Sequence, residues 1–149
     1  MSDDGYIIER DFAAPRELVW QMWTAPEHFS YWWGGTAVDV PLDTITLDAR
    51  VGGQWRATMI GPDDAWRVNW VGEYIEVDEP SRQVFNFTDM AENPERDVFI
   101  LDLTETADGT HMRLQQSGGH MPADAYEQAR QGTASFLDAM AERLAALQD

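Results

Sequence analysis

The last stretch of the chain constrains its fold most. From Ala123 to Leu147, Tyr126, Ala129, Thr133, Phe136, Met140, Leu144 and Leu147 recur at three- and four-residue spacing. Asp124, Glu127, Gln128, Gln131, Asp138 and Glu142 fall between them. This pattern predicts one amphipathic helix over 123–147, roughly 37 Å long at about 1.5 Å per residue. Such a helix can cross a whole domain, and its apolar stripe needs a surface to cover.

The sequence before it supplies that surface. Tyr6 to Ala13 alternates, with Tyr6, Ile8, Arg10 and Phe12 on one side. Further strands are predicted over 42–48, 54–60, 66–77, 83–88, 97–106 and 110–117. Gly61-Pro62-Asp63-Asp64, Glu79-Pro80-Ser81 and Asp108-Gly109 separate them at hairpin scale. Short connections of this kind imply an antiparallel sheet. Between the first two strands, Leu18, Val19, Met22 and Trp23 form one helical stripe after Pro15. Thr24-Ala25-Pro26-Glu27 reads as a capping box that starts a second short helix, ending at Gly34-Gly35. The expected fold is α+β: a seven-stranded antiparallel sheet wrapped around a long C-terminal helix, with two short helices between strands one and two. A sheet that grips a helix closes tightly in places and gapes in others, which makes a cavity between them the expected site.

The 149 residues suit one domain spanning the chain, 1–149. The balance of 27 acidic residues against 10 basic ones, all arginine, gives a net charge of −17. That charge repels phosphate backbones and anionic lipid, which argues against nucleic-acid and membrane partners. The absence of cysteine excludes disulfides and thiolate metal sites. No apolar run reaches the roughly 18 residues of a membrane span. The opening Met1-Ser2-Asp3-Asp4-Gly5 is acidic and unlike a signal peptide, so a cytoplasmic location is expected.

Several segments resemble the START-like, helix-grip proteins, and within them the group related to the C-terminal domain of the activator of the Hsp90 ATPase. They begin with Glu9-Arg10-Asp11-Phe12-Ala13-Ala14-Pro15, Leu18 to His28, and Trp32-Trp33-Gly34-Gly35. Asp48 to Arg56, with its paired glycines, is similar to a second landmark, and Gly72 to Val77 with Glu79-Pro80-Ser81-Arg82 to a third. Asp108 to Leu114 resembles the penultimate hairpin, and Gly132, Phe136-Leu137-Asp138 and Leu144 the closing helix. The resemblance implies the same helix-grip fold and a cavity for a small apolar molecule. Two departures stand out. The closing helix of the family commonly carries Trp directly after the glycine, where this chain has Thr133. A small hydroxyl in place of a large ring would enlarge a cavity beneath the helix. Trp33-Gly34-Gly35 also stands where Trp-Gly-Pro is more usual.

Seven tryptophans supply the candidate lining. Trp66, Val68, Trp70, Gly72 and Tyr74 share a strand face by period two, as do Phe85 and Phe87. Trp55, Trp66, Trp70, Tyr74, Phe85 and Phe87 on strands, with Thr133, Phe136 and Met140 on the helix, are the expected cavity residues. These rings either pack the core or line a pocket for a flat apolar ligand. Gly72, between two rings, leaves space for the second. Arg56, Glu73 and His120 are the polar candidates, of which His120 sits in a loop beside the expected cavity mouth. His28, His111 and His120 have no metal-binding spacing, so no metal is expected. No nucleophile elbow, phosphate-cradling glycine loop or dinucleotide fingerprint occurs, and the lack of lysine excludes Schiff-base chemistry on a side-chain amine. No cofactor is expected.

Three functions compete. The first is a small-molecule binding protein with an aromatic-lined cavity, acting as a monomer or homodimer. The second is a cyclase- or dehydratase-like enzyme using the same cavity, in which inward Arg56, Glu73 or His120 would move protons. The third is a protein-interaction or chaperone-assisting domain, which needs an exposed apolar patch.

Overall fold

The computed structural model describes residues 5–35, 37–90, 92, 95–118 and 121–148. Its elements run β1 (Gly5–Phe12), α1 (Arg16–Thr24), α2 (Pro26–Trp32), β2 (Thr46–Leu47), β3 (Gln54–Ile60), β4 (Arg67–Asp78), β5 (Arg82–Thr88), β6 (Asp97–Thr106), β7 (Gly109–Ser117) and α3 (Ala123–Leu147). The seven strands form one antiparallel sheet in the order β1-β7-β6-β5-β4-β3-β2. Chain order is kept from β2 to β7, and β1 closes on β7, the last strand. The helix-grip architecture read from the sequence is the one observed, and α3 has the predicted bounds.

Two local readings change. The strand expected over 42–48 shrinks to Thr46–Leu47, because Pro41 opens a 3-10 turn over Leu42–Thr44. Both the amide and the hydroxyl of Thr44 donate to the Pro41 carbonyl, at 3.0 and 2.7 Å, which takes the amide out of the sheet, while the hydroxyl oxygen accepts from the Thr58 amide of β3 at 3.1 Å. The capping box is not formed either. Thr24 is still helical, and its hydroxyl donates to the Trp20 carbonyl at 3.1 Å. The N-cap of α2 therefore falls one residue later, on Ala25, with Pro26 in the first turn.

The two short helices plug one end of the grip with aromatic rings. Trp23 and Trp32 meet edge to face at 4.6 Å, and the Trp32 indole N–H donates to the Met22 carbonyl at 2.7 Å. Phe29 packs edge-on against Trp55 of β3 at 6.0 Å, and Trp55 stacks on Phe85 of β5 at 4.8 Å. Ring pairs of this geometry each contribute about 0.5–1.5 kcal/mol beyond their buried area. Tyr74, Phe99, Leu101, Met112 and Leu114 continue this interior across the sheet, and Leu137, Met140 and Leu144 of α3 close it.

Gly72 has a different role from the one its neighbours suggest. A Cβ there would stand 1.9 Å from the Asn86 carbonyl oxygen. The glycine permits close approach of β4 and β5, just before the register shift between Tyr74 and Glu76.

Candidate functional site

The grip is not filled evenly. Between α3 and β4–β7 lies a cavity of about 370 Å³. This is at the small end of the range of about 300–1,000 Å³ typical of small-molecule sites. Its apolar wall is aromatic: Trp33 beyond α2, Trp70 on β4, Phe87 on β5, Phe99 on β6 and Phe136 on α3. These rings support one another. Trp33 meets Trp70 at 6.0 Å and Phe136 at 5.6 Å, both edge to face, while Phe87 stacks on Phe99 at 4.6 Å.

The helix side is low because its residues are small. Ala129, Gly132 and Thr133 line the cavity, and a Cβ built on Gly132 meets no atom within 4 Å. Thr133, standing where a tryptophan is common in the resembled family, faces the same space.

The other end of the cavity is polar. Asp97 opens β6 on its inward face, and Gln116 lies at the inward end of β7. Both line the cavity and both are buried. The Gln116 Nε2 donates to Asp97 Oδ2 at 2.6 Å, and the Tyr126 hydroxyl donates to Asp97 Oδ1 at 3.1 Å. The Tyr6 hydroxyl in turn donates to Gln116 Oε1 at 2.7 Å. With its single proton spent there, the Tyr6 oxygen accepts from Thr133, whose Oγ1 is 2.7 Å away. Thr133, Tyr6 and Gln116 thus form one hydrogen-bonded row that ends on the Asp97 carboxylate, and Tyr126 donates to that carboxylate directly. Burial, first, pushes the Tyr6 phenol up to about 12; the Thr133 hydrogen bond opposes this and the nearby Asp97 adds to it. Tyr6 therefore serves as a neutral hydrogen-bonding link near neutral pH. Asp89 and Glu95, both exposed, stand at the rim.

Of the residues expected at the site, Trp70, Phe87, Thr133 and Phe136 come together around this cavity. Trp55, Tyr74, Phe85 and Met140 are inward too, but at 0–1% exposure they belong to the solid part of the interior. Burial, with Asp48 nearby, holds the Tyr74 phenol well above its ordinary range, and its hydroxyl has no partner among the described residues. Trp66 is a correction. It precedes β4, is 43% exposed and packs its indole over Gly61, where a Cβ would stand 2.3 Å from the ring. Arg56 and Glu73 are corrections as well: each alternates with an inward ring, Trp55 or Tyr74, and so faces outward and is exposed. That removes both from the proton-moving role imagined for the enzyme reading. His120 lies outside the described residues.

The sequence reading missed Trp33, Phe99, Asp97, Gln116 and Tyr6. A signal for Gln116 was present. Thr110, Met112, Leu114 and Gln116 share the buried face of β7 by period two, whereas Gln115 points away. Among the described residues, no group of three or more His, Asp or Glu side chains is placed to hold a metal ion. No helix among them is long and apolar enough to cross a membrane.

Comparison with solved structures gives the same fold. Protein CV1439 from Chromobacterium violaceum superimposes with a TM-score of 0.83 at 20% identity, over 96% of this chain and 98% of that one. The AHSA1 protein SPO3351 from Silicibacter pomeroyi gives 0.80 at 21% identity, over 97% and 99%. Protein Ms6760 from Mycobacterium smegmatis gives 0.78 at 26% identity, over 96% and 92%. No curated protein matches the chain in sequence. Residues 13–145 match the family described as Activator of Hsp90 ATPase homolog 1-like protein. With nearly its whole length covered by that match, the chain belongs to the Activator of Hsp90 ATPase homolog 1-like family.

Proposed function

We propose that the protein binds a small, largely apolar molecule in the cavity between α3 and the sheet. The observation that carries this reading is the pairing of five mutually supporting rings with one buried polar end. A site built this way gives a ligand a large apolar contact and fixes its orientation through few polar groups. The space of about 370 Å³ opens beside Gly132, where the helix presents no side chain to fill it. Trp33 and Trp70 in the wall make binding visible in intrinsic fluorescence.

The test is a titration with N-phenylnaphthylamine, a neutral apolar fluorophore. Saturable enhancement of the probe, with matching quenching of tryptophan emission, is expected. Gly132→Leu, which puts a side chain into the open space, should abolish it while the circular dichroism spectrum stays that of the parent. A parent protein that does not bind the probe, or a Gly132→Leu protein that binds it equally well, overturns the reading.

A further inference from the structure

We infer that the natural occupant of this cavity is a cation: an organic amine, protonated near neutral pH, attached to an aromatic or alicyclic body. The inference rests on the ligand-binding reading above and adds to it the sign of the ligand's charge.

Among the described residues, the ionisable side chains that line the cavity are all acidic. Among the described residues lining it they are Asp89, Glu95 and Asp97, with no arginine or histidine, and the chain contains no lysine. Charge of one sign within a low-dielectric wall favours a ligand of the other sign.

Asp97 points the same way from a separate observation. It is only 9% exposed, and among the described residues no ion pair reaches it. Arg96, its neighbour in sequence, reaches Asn86 Oδ1 at 3.1 Å. The two side-chain donors to Asp97, those of Gln116 and Tyr126, are neutral, so they solvate the carboxylate without balancing it. A buried charge left unbalanced is unfavourable. Each Asp97 oxygen has one neutral donor and retains a further lone pair. An ammonium group in the cavity would bring the missing charge and a donor for that lone pair together.

The rest of the lining suits the same ligand. Indole and phenyl rings attract a cation placed within about 6 Å of their faces, indole most strongly. Two indoles and three phenyl rings line this space. A fatty-acid carboxylate or an acidic phenolate would meet the opposite conditions: like charge at the polar end, and a net charge of −17 resisting its approach. The geometry therefore selects an amine over an acid of the same shape.

Calorimetric titration of the full chain with three ligands of one shape tests this: naphthylethylammonium, naphthylethanol and naphthylacetate. The ammonium should bind about tenfold or more tighter than the alcohol, and the acetate more weakly than either. Asp97→Asn should reduce the affinity for the ammonium by more than that for the alcohol, collapsing their ratio. The ranking of the three ligands on the unaltered protein stands without any variant, so a poorly folded Asp97→Asn protein does not block the test. An alcohol that binds as tightly as the ammonium, or an acetate that binds tightest, overturns the cationic assignment and leaves the cavity a receptor. If N-phenylnaphthylamine binds and the ammonium does not, the assignment falls in the same way. If none of the four compounds binds, both readings fall.

Discussion

The Tyr6 phenol and the Thr133 hydroxyl lie 2.7 Å apart, joining the first strand to the closing helix across 127 positions of sequence. The contact is buried, and it feeds the hydrogen-bonded row that ends on Asp97. It ties the helix to the sheet at the cavity itself, where ring packing is interrupted.

Tyr6→Phe should therefore destabilise the protein by about 1–3 kcal/mol, because Gln116 Oε1 and Thr133 each lose a buried partner. Thr133→Val should cost less, since Tyr6 keeps its own donation to Gln116. A double-mutant cycle in urea should give a coupling of at least about 0.5 kcal/mol between the two positions. Additive losses would mean that the two hydroxyls act independently.

Gln83 makes the opposite case. It is 0% exposed on β5, and neither amide atom has a partner among the described residues. A buried amide left unpaired costs about 1–3 kcal/mol, and an apolar side chain of similar length removes that cost. Gln83→Met should raise the midpoint of thermal unfolding. A fall in that midpoint would show that the amide is hydrogen-bonded to internal water.

Gly132 sits in the middle of α3 with open space where a side chain would go. Gly132→Ala should stabilise the protein by about 1 kcal/mol, the difference in helix propensity, with no clash to offset it. Chemical denaturation measures this directly. A destabilised variant would indicate that the helix backbone at this point is closer to the sheet than described.

Two histidines should shape the pH dependence of stability in opposite ways. His111 bridges Glu9 and Asp11, at 2.9 and 2.7 Å, and those hydrogen bonds raise its pKa above the ordinary value. Its contribution is fully present below the unfolded value of about 6.5 and is lost as pH rises through the raised folded value. His28 has its pKa lowered, chiefly by burial and then by Arg143, whose guanidinium donates to Nδ1 at 3.3 Å. The folded state prefers neutral His28, so stability falls as pH drops from about 6.5 through the lowered folded value. In melting temperature against pH, His111→Gln should flatten the slope above about 6.5, and His28→Gln the slope below it. A profile unchanged by either substitution would refute the assignment.

The architecture was legible because it depends on periodicity. The three- and four-residue spacing from Tyr126 to Leu147 and the alternation along β6 and β7 each admit one reading, and α3 begins and ends where the spacing does. The site was legible in part. Trp70, Phe87, Thr133 and Phe136 could be placed on inward faces, but facing inward does not separate a cavity wall from solid core. Trp55 and Phe85 face the same way and stack on each other instead. That distinction depends on how α3 settles over the sheet, which local sequence does not encode. The polar end was missed for a related reason: its members come from β1, β6, β7 and α3, and only folding makes them neighbours. Trp66 and Thr24 show boundary errors of a single residue. One stands just ahead of its strand, and the other still belongs to the preceding helix.

Under the proposed binding role, the open notch at Gly132 separates two properties that most binding sites entangle. Headroom is governed from the helix, by a position where an added Cβ meets no atom within 4 Å. Chemical preference is governed from the opposite wall, where Gln116 holds Asp97 and Phe87 stacks on Phe99. Lineages or engineers could accordingly resize the guest by altering one helical site, while its electrical character stays written in the strands.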